Sequence, residues 1–306
     1  MTRHFLIDDD LSSVEVTRIL DDASRLKQNR FGSHVLDGPQ SVAVIFEKQS
    51  TRTRVSFEVA ITELGGHAVI LDSAASQLGR GETIEDTARV LSRYVSAIVI
   101  RTFGHERIEA LAAHASVPVV NALTDLAHPC QWLADLMTIR EHKGDAAGLT
   151  LTYVGDGNNV AHSLLLGGAM AGMHVRIATP RGYEPLDDIV KRANEIASET
   201  GGSAAVTQDS LEACTGADIV YTDVWASMGQ EAEVAARGRA FAGYTVDERL
   251  VTAANDDVMV LHCLPAHRGE EIAAAMIDGP RSFVFDQAEN RLHAQKALLA
   301  FLLARA

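Results

Sequence analysis

Recurrent short runs of apolar, mostly β-branched residues restrict this chain more than any other feature of its sequence. In the first half they are Ser41–Phe46, His67–Leu71, Ala97–Ile100 and Val117–Val120. In the second half they are Leu151–Val154, His174–Ala178, Asp218–Thr222, Asp257–Leu261 and Ser282–Phe285. Runs of this kind suit strands buried on both faces of a parallel sheet. Parallel neighbours need crossovers, and the stretches between the runs suit right-handed helical ones. The chain is therefore predicted to be α/β, with two doubly wound parallel-sheet domains. Its length of 306 residues also exceeds one ordinary core and fits two domains of about 150 residues each.

The polar stretch 141–148, which contains Gly144 and Gly148, marks the boundary between a helix and a strand. It divides the chain into a first domain over 1–143 and a second over 149–287. Leu292, Leu298, Leu299, Phe301, Leu302 and Leu303 predict a closing amphipathic helix over about 288–306 that returns to the first domain. Two stretches, Ser73–Thr83 and Ala226–Gly243, are glycine-containing and show no strand pattern. Loops of that length are often lids or binding loops.

Charge narrows the partners. The chain has 27 Lys and Arg against 41 Asp and Glu, a formal charge of −14. Nucleic acid and anionic membranes both reward a basic face, so neither is an expected partner. An anionic substrate would have to be held at short range by a few arginines. Cys130, Cys214 and Cys263 are odd in number and widely spaced, which argues for reduced thiols and against a disulfide framework or zinc cluster. The start turns acidic at Asp8-Asp9-Asp10 before a signal-peptide core can form. The most apolar stretch, Leu164–Met173, is too short to cross a bilayer. These readings predict a cytoplasmic protein.

Ligands of open parallel sheets bind beyond the carboxyl ends of the strands, so chemistry is sought there. The first strand is followed by Ser50-Thr51-Arg52-Thr53-Arg54 and then by a predicted helix running to about Leu64, stopped by Gly65-Gly66. A helix N-terminus offers unpaired N–H groups, the hydroxyls add donors, and Arg52 adds a planar fork that matches a phosphate. The alternative is a Ser-capped helix carrying solvent arginines. The third run leads into Arg101. The fourth leads to Asn121 and then to His128-Pro129-Cys130-Gln131, where Pro129 suits the first turn of a helix. His128 and Gln131 would both reach an amide-like group, or His128 would merely cap the helix over a buried Cys130.

In the second half, Gly155-Asp156-Gly157-Asn158-Asn159-Val160 follows a strand and resembles a dinucleotide turn. The third glycine position is Val160, and the next strand ends Ala178-Thr179-Pro180 with no carboxylate for a ribose. The dinucleotide reading fails on both counts. The turn instead presents Asn158 and Asn159 at a helix start. Further strand ends carry Asp223, followed by Ser227-Met228-Gly229, and His262-Cys263-Leu264-Pro265. Cys263 is either a small core residue or, beyond a strand end, a functional thiol.

Taken together, Ser50–Arg54, His128–Gln131, Asp223 with Ser227–Gly229, and His262–Pro265 resemble the aspartate/ornithine carbamoyltransferase family, in the family's order and essentially end to end. The Ser-Met-Gly and His-Cys-Leu-Pro segments are similar to the ornithine branch. The resemblance implies an active site in the cleft between the two domains. It implies that Ser50, Thr51, Arg52, Thr53 and Arg101 hold the phosphate of carbamoyl phosphate. His128 and Gln131, along with Arg101, would hold its carbamoyl oxygen and nitrogen, Pro129 and Cys130 would belong to the same carbamoyl phosphate site, and Cys263, the Leu264 carbonyl and Arg291 would complete the pocket. Gln77, in the 73–83 loop, would serve a neighbouring subunit's site, which implies a homotrimer. Asn159, Asp223, Ser227 and Met228 would bind L-ornithine under the 226–243 loop. The implied reaction makes L-citrulline and phosphate, a step of arginine biosynthesis, with no cofactor and no metal.

The implied chemistry sets an energetic problem. A Lys-like amine has a pKa of about 10.4, so neutralising it near pH 7 costs about 4 to 5 kcal/mol. Arg52, Arg101 and His128 would stabilise the growing oxyanion, and Cys263 would help the amine shed its proton. The rival acceptors are putrescine and aspartate. Asp223 with Ser227 and Met228 favours an α-amino acid over a diamine. An aspartate acceptor would need more basic residues than Arg237 and Arg239 in the 226–243 loop. A non-catalytic binding protein on the same fold is the remaining alternative.

Overall fold

A computed structural model describes residues 2–72, 81–226 and 233–304. The chain divides into two compact units, one of Met1–Met137 with Asn290–Ala306 and the other of Thr138–Glu289.

In the first unit, a capped helix α1 (Ser13–Gln28) precedes β1 (Ser41–Phe46), α2 (Thr51–Glu63), β2 (His67–Asp72), α3 (Ile84–Leu91), β3 (Ala97–Arg101), α4 (His105–His114), β4 (Val119–Leu123) and the start of α5 (Pro129–Lys143), which continues into the second unit. All pairings are parallel and the strand order is β2-β1-β3-β4. Ala43, Ile45, Ile98, Ile100 and Val119 from the strands pack with Ile108 and Leu111 of α4. The order reverses between β1 and β3, so this is the sheet's switch point. At β3 the pairing to β4 slips by one residue, with Ile100 opposite Asn121 but Arg101 opposite Leu123. Such a bulge re-aims the side chain that carries it. α2 stops where Gly65 takes a left-handed conformation, φ 86°, which glycine adopts without a Cβ penalty.

The second unit holds β5 (Thr150–Val154), α6 (Asn159–Met170), β6 (His174–Ala178), α7 (Asp187–Thr200), β7 (Ser203–Thr207), α8 (Ser210–Cys214), β8 (Ile219–Thr222), α9 (Val234–Ala240), α10 (Glu248–Ala253), β9 (Met259–His262), α11 (Ala274–Ile277) and the start of α12 (Val284–Leu303). Its sheet is also parallel, in the order β7-β6-β5-β8-β9, with its switch point between β5 and β8. α6 is buried from Val160 to Ala169, as expected of a helix that is apolar all round.

Three sequence expectations change. Ser282–Phe285 is not a strand: Ser282 makes one bridge to Val260, and α12 begins at Val284. The apolar run belongs to a long helix, because the polar helix formers that follow it continue the turn. β7 carries only a short apolar run, Ala204-Ala205-Val206, which the sequence pattern passes over. It is an edge strand in which only Ala204 is buried. The 226–243 stretch is also not all loop, since α9 lies within it.

Candidate active site

Both switch points carry polar side chains, and each is built from its own unit. In the first, Ser50 caps α2 by accepting from the Thr53 N–H at 3.3 Å, and its hydroxyl donates to Thr53 Oγ1 at 3.0 Å. Arg101, re-aimed by the bulge, donates from Nη1 to the same oxygen at 3.4 Å. Arg291, from α12, donates from Nη2 to Thr53 Oγ1 at 3.1 Å and from Nη1 to Gln131 Oε1 at 2.7 Å. The Gln131 amide nitrogen donates to Asp135 Oδ1, one helical turn on, at 2.7 Å. Two buried guanidiniums thus converge on the first turn of a helix, where the dipole already favours an anion.

His128 sits beside them, nearly fully buried. Burial, with the charges of Arg291 and Arg101, pushes its pKa well below the usual histidine value. It is therefore a neutral imidazole at pH 7, able to donate or accept a hydrogen bond but not to add a third cation. Pro129 occupies the first position of α5. Cys130 is packed: its thiol donates to the Asn121 carbonyl at 3.3 Å, and burial pushes its pKa up to about 12. Thr51 and Arg52 lie in the exposed first turn of α2.

In the second unit, the turn after β5 faces the end of β8. Asn158 caps α6, accepting from the Val160 and Ala161 N–H groups, and its amide donates to Asp223 Oδ2 at 3.2 Å. Asn159 is the next residue, at the first position of α6. Cys263, after β9, donates from Sγ to Asp223 Oδ1 at 2.9 Å. Leu264 follows in a left-handed conformation, φ 58°, before a cis peptide to Pro265, and its N–H donates to His262 Nδ1 at 2.9 Å. The other face of that imidazole meets the buried Glu271 at 3.1 Å. Gly157 is required by packing, because a Cβ there would come within 2.2 Å of the Pro185 nitrogen. That supplies a reason for the glycine unconnected with any dinucleotide.

Arg237 is engaged by partners within its own unit. It is buried, donating to Asp156 Oδ2 at 2.7 Å, Glu233 Oε2 at 2.8 Å and the Trp225 carbonyl at 2.9 Å. Burial still raises the Asp156 carboxyl to about 6 against that guanidinium. Desolvation outweighs the ion pair here.

The sequence shows no metal spacing, yet the fold brings the ligating atoms of Asp223, His262 and Cys263 within 4.8 Å of one another, and likewise those of His267, Glu270 and Glu271. In the first group Cys263 is bonded to Asp223 and His262 to Glu271 and the Leu264 N–H. A metal would have to break those bonds to bind. Gln77, Ser227 and Met228 lie outside the described residues. Asp135, Gln295 and the Asn158 contact with Asp223 were not singled out in the sequence. Asp135 had a visible signal, being four residues from Gln131 on one helix.

The carbamoyl-P binding domain model of the aspartate/ornithine carbamoyltransferases matches residues 3–141, and the Asp/Orn binding domain model of the same family matches residues 147–302. The chain belongs to the aspartate/ornithine carbamoyltransferase family. An ornithine carbamoyltransferase from Acidothermus cellulolyticus is 66% identical over 99% of this chain and 97% of its own length. The solved ornithine carbamoyltransferase from Pyrococcus furiosus superposes with a TM-score of 0.95 at 52% identity, covering 99% of this chain and 98% of that one. An anabolic ornithine carbamoyltransferase from Campylobacter jejuni gives a TM-score of 0.94 at 39% identity, covering 100% of both. Within this family frame Arg291 is notable. It falls in the stretch matched by the Asp/Orn binding model, yet its guanidinium is held by Thr53 and Gln131 of the first unit.

Proposed function

We propose that this chain is an ornithine carbamoyltransferase: carbamoyl phosphate and L-ornithine give L-citrulline and phosphate, as a cytoplasmic step of arginine biosynthesis carried out by a homotrimer. The observation that carries the reading is the convergence of Arg101 and Arg291 on Thr53, beside Gln131 and a neutral His128. Dianionic phosphate requires fixed cations, and the carbamoyl amide requires hydrogen-bonding groups that are not themselves charged. One cluster holds both kinds. Full-length likeness to enzymes of that name supports it, and the biosynthetic direction rests on the anabolic Campylobacter relative.

In this reading, Ser50, Thr51, Arg52, Thr53, Arg101 and Arg291 bind the phosphate. His128 and Gln131, in the segment with Pro129 and Cys130, bind the carbamoyl oxygen and nitrogen. As the amine adds to the carbamoyl carbon, charge grows first on the carbamoyl oxygen and then on the leaving phosphate. Fixed cations and donors stabilise both without reorganising. Asn159 and Asp223, with Ser227 and Met228, bind ornithine. Cys263 directs its own proton to Asp223, and its sulfur can accept from an incoming N–H. That orients the amine, whose surplus proton can pass to the sulfur as the thiol proton moves to Asp223 Oδ1. Asp223 adds negative charge that favours an α-ammonium nearby. Gln77 serves an adjacent subunit, and Leu264 offers its carbonyl.

An aspartate acceptor is disfavoured because Arg237, one of two basic residues in the 226–243 stretch, is spent on Asp156 and Glu233. The deciding assay compares carbamoylation of ornithine, putrescine and aspartate with carbamoyl phosphate as donor. Ornithine should exceed the others by at least about 10³-fold in kcat/KM, the scale at which buried polar partners reject an unmatched substrate. Comparable rates with putrescine would overturn the assignment.

A further inference from the structure

Arg291 enters the first-unit cluster from α12, and something must fix the aim of so long a side chain. Gln295 lies four residues on, one turn along the same helix face. It is fully buried. Its amide is satisfied in one orientation. The carbonyl then accepts from both Nε and Nη2 of Arg291, at 3.2 Å each. The nitrogen donates to Ser56 Oγ at 2.7 Å and to the Arg291 carbonyl at 3.3 Å. Ser56 in turn donates to the Thr53 carbonyl at 3.2 Å, and Thr53 Oγ1 accepts from Arg291. The contacts close a ring: Arg291, Gln295, Ser56, Thr53 and back. The ring ties α12 to the first turn of α2, where the anion cradle lies.

The chemistry of this ring is specific. An amide carbonyl gripping two guanidinium N–H groups orients the cation much as a carboxylate would, but leaves its charge for another anion. The geometry assigns Gln295 the role of a positioning residue that aims Arg291 at the anion site without neutralising it. Gln131 and Thr53 do the same from the other side. The inference rests on the reading of this cluster as the carbamoyl phosphate site.

The test uses full-length Gln295→Glu, Gln295→Leu and Ser56→Ala. Four quantities are measured for each: KM for carbamoyl phosphate, KM for ornithine, affinity for inorganic phosphate by calorimetry, and thermal midpoint. Gln295→Glu keeps the grip but cancels the charge. It should raise the carbamoyl phosphate KM and weaken phosphate binding by roughly 10- to 30-fold, with a lower midpoint because the Arg291 carbonyl loses its donor. Gln295→Leu should raise the same KM by about 10-fold and lower the midpoint, because buried donors lose their acceptor. Ser56→Ala, which keeps Gln295 itself, should give about 3-fold and guards against a Gln295 variant that fails to fold. The ornithine KM should stay within twofold throughout.

A packing role alone would move only midpoints. Gln295→Glu binding carbamoyl phosphate and inorganic phosphate with wild-type constants would overturn the inference. If the wild-type chain forms no citrulline yet Gln295→Glu loses phosphate, the reaction assignment falls and the positioning role stands.

Discussion

At the switch point of the first unit, Arg101 and Arg291 are buried against hydroxyl and amide acceptors. At the switch point of the second, carboxylates are buried instead, Asp223 against Asn158 and Cys263, and Asp156 against Arg237. The same strand-end geometry therefore holds opposite charge in the two units. Holding a cation with neutral acceptors keeps its field available to an anionic ligand, whereas a carboxylate beside a thiol and an amide remains available to an ammonium. A chain of net charge −14 can bind a phosphate only by building such a local exception to its own field.

The largest effect should come from deleting the cation on the bulge. Arg101→Ala should lower kcat/KM for carbamoyl phosphate by about 10³-fold. Arg52→Ala, in the exposed first turn, should raise KM by only about 10-fold. If steady-state kinetics give the two variants equal losses, burial is not what separates them, and the contrast between exposed and buried arginines collapses. The second unit is probed next. Cys263→Ser should lower kcat by about 10²-fold and alter the pH–rate profile, while the carbamoyl phosphate KM stays within twofold. A wild-type rate and profile would remove Cys263 from proton handling.

Burial in the second unit also acts on stability. Asp156 titrates near 6 in the folded chain against an ordinary 3.8. Between those values the folded state keeps a proton that the unfolded state has lost, so this carboxyl withdraws stability as pH rises from 4 to 6. Asp156→Asn should lack that decline, about 2 kcal/mol in urea unfolding compared at pH 4 and pH 7. Parallel pH curves for variant and wild type would show that Arg237 fully compensates the burial.

Most of the strands were legible because a buried parallel strand must be apolar on both faces, as in Ala97–Ile100. β7 was not, since an edge strand with one buried alanine needs only a short run such as Ala204–Val206. Ser282–Phe285 misled for the converse reason: a helix core and a strand core look alike over four residues. The first-unit site was legible at Ser50, Thr53, Arg101, His128 and Gln131 because strand ends and helix starts advertise themselves. Gln295 was invisible, being a polar residue in a mostly apolar terminal helix whose significance depends on Ser56, far away in the chain. The trio of Asp223, His262 and Cys263 was equally hidden, because only the pairing of β8 with β9 brings its members together.

The return of Asn290–Ala306 to the first unit has a consequence for the order in which the protein is made. A ribosome delivers Ser50, Thr53, Arg101 and Gln131 early, but Arg291 and the buried Leu298, Leu299 and Leu302 come last. At about 5 to 20 residues per second, the first unit waits on the order of ten seconds for the piece that completes it. The second unit is translated whole in that interval. The unit that starts first should thus finish last, and a nascent chain stalled short of Asn290 should carry a folded second unit and an unfinished first one.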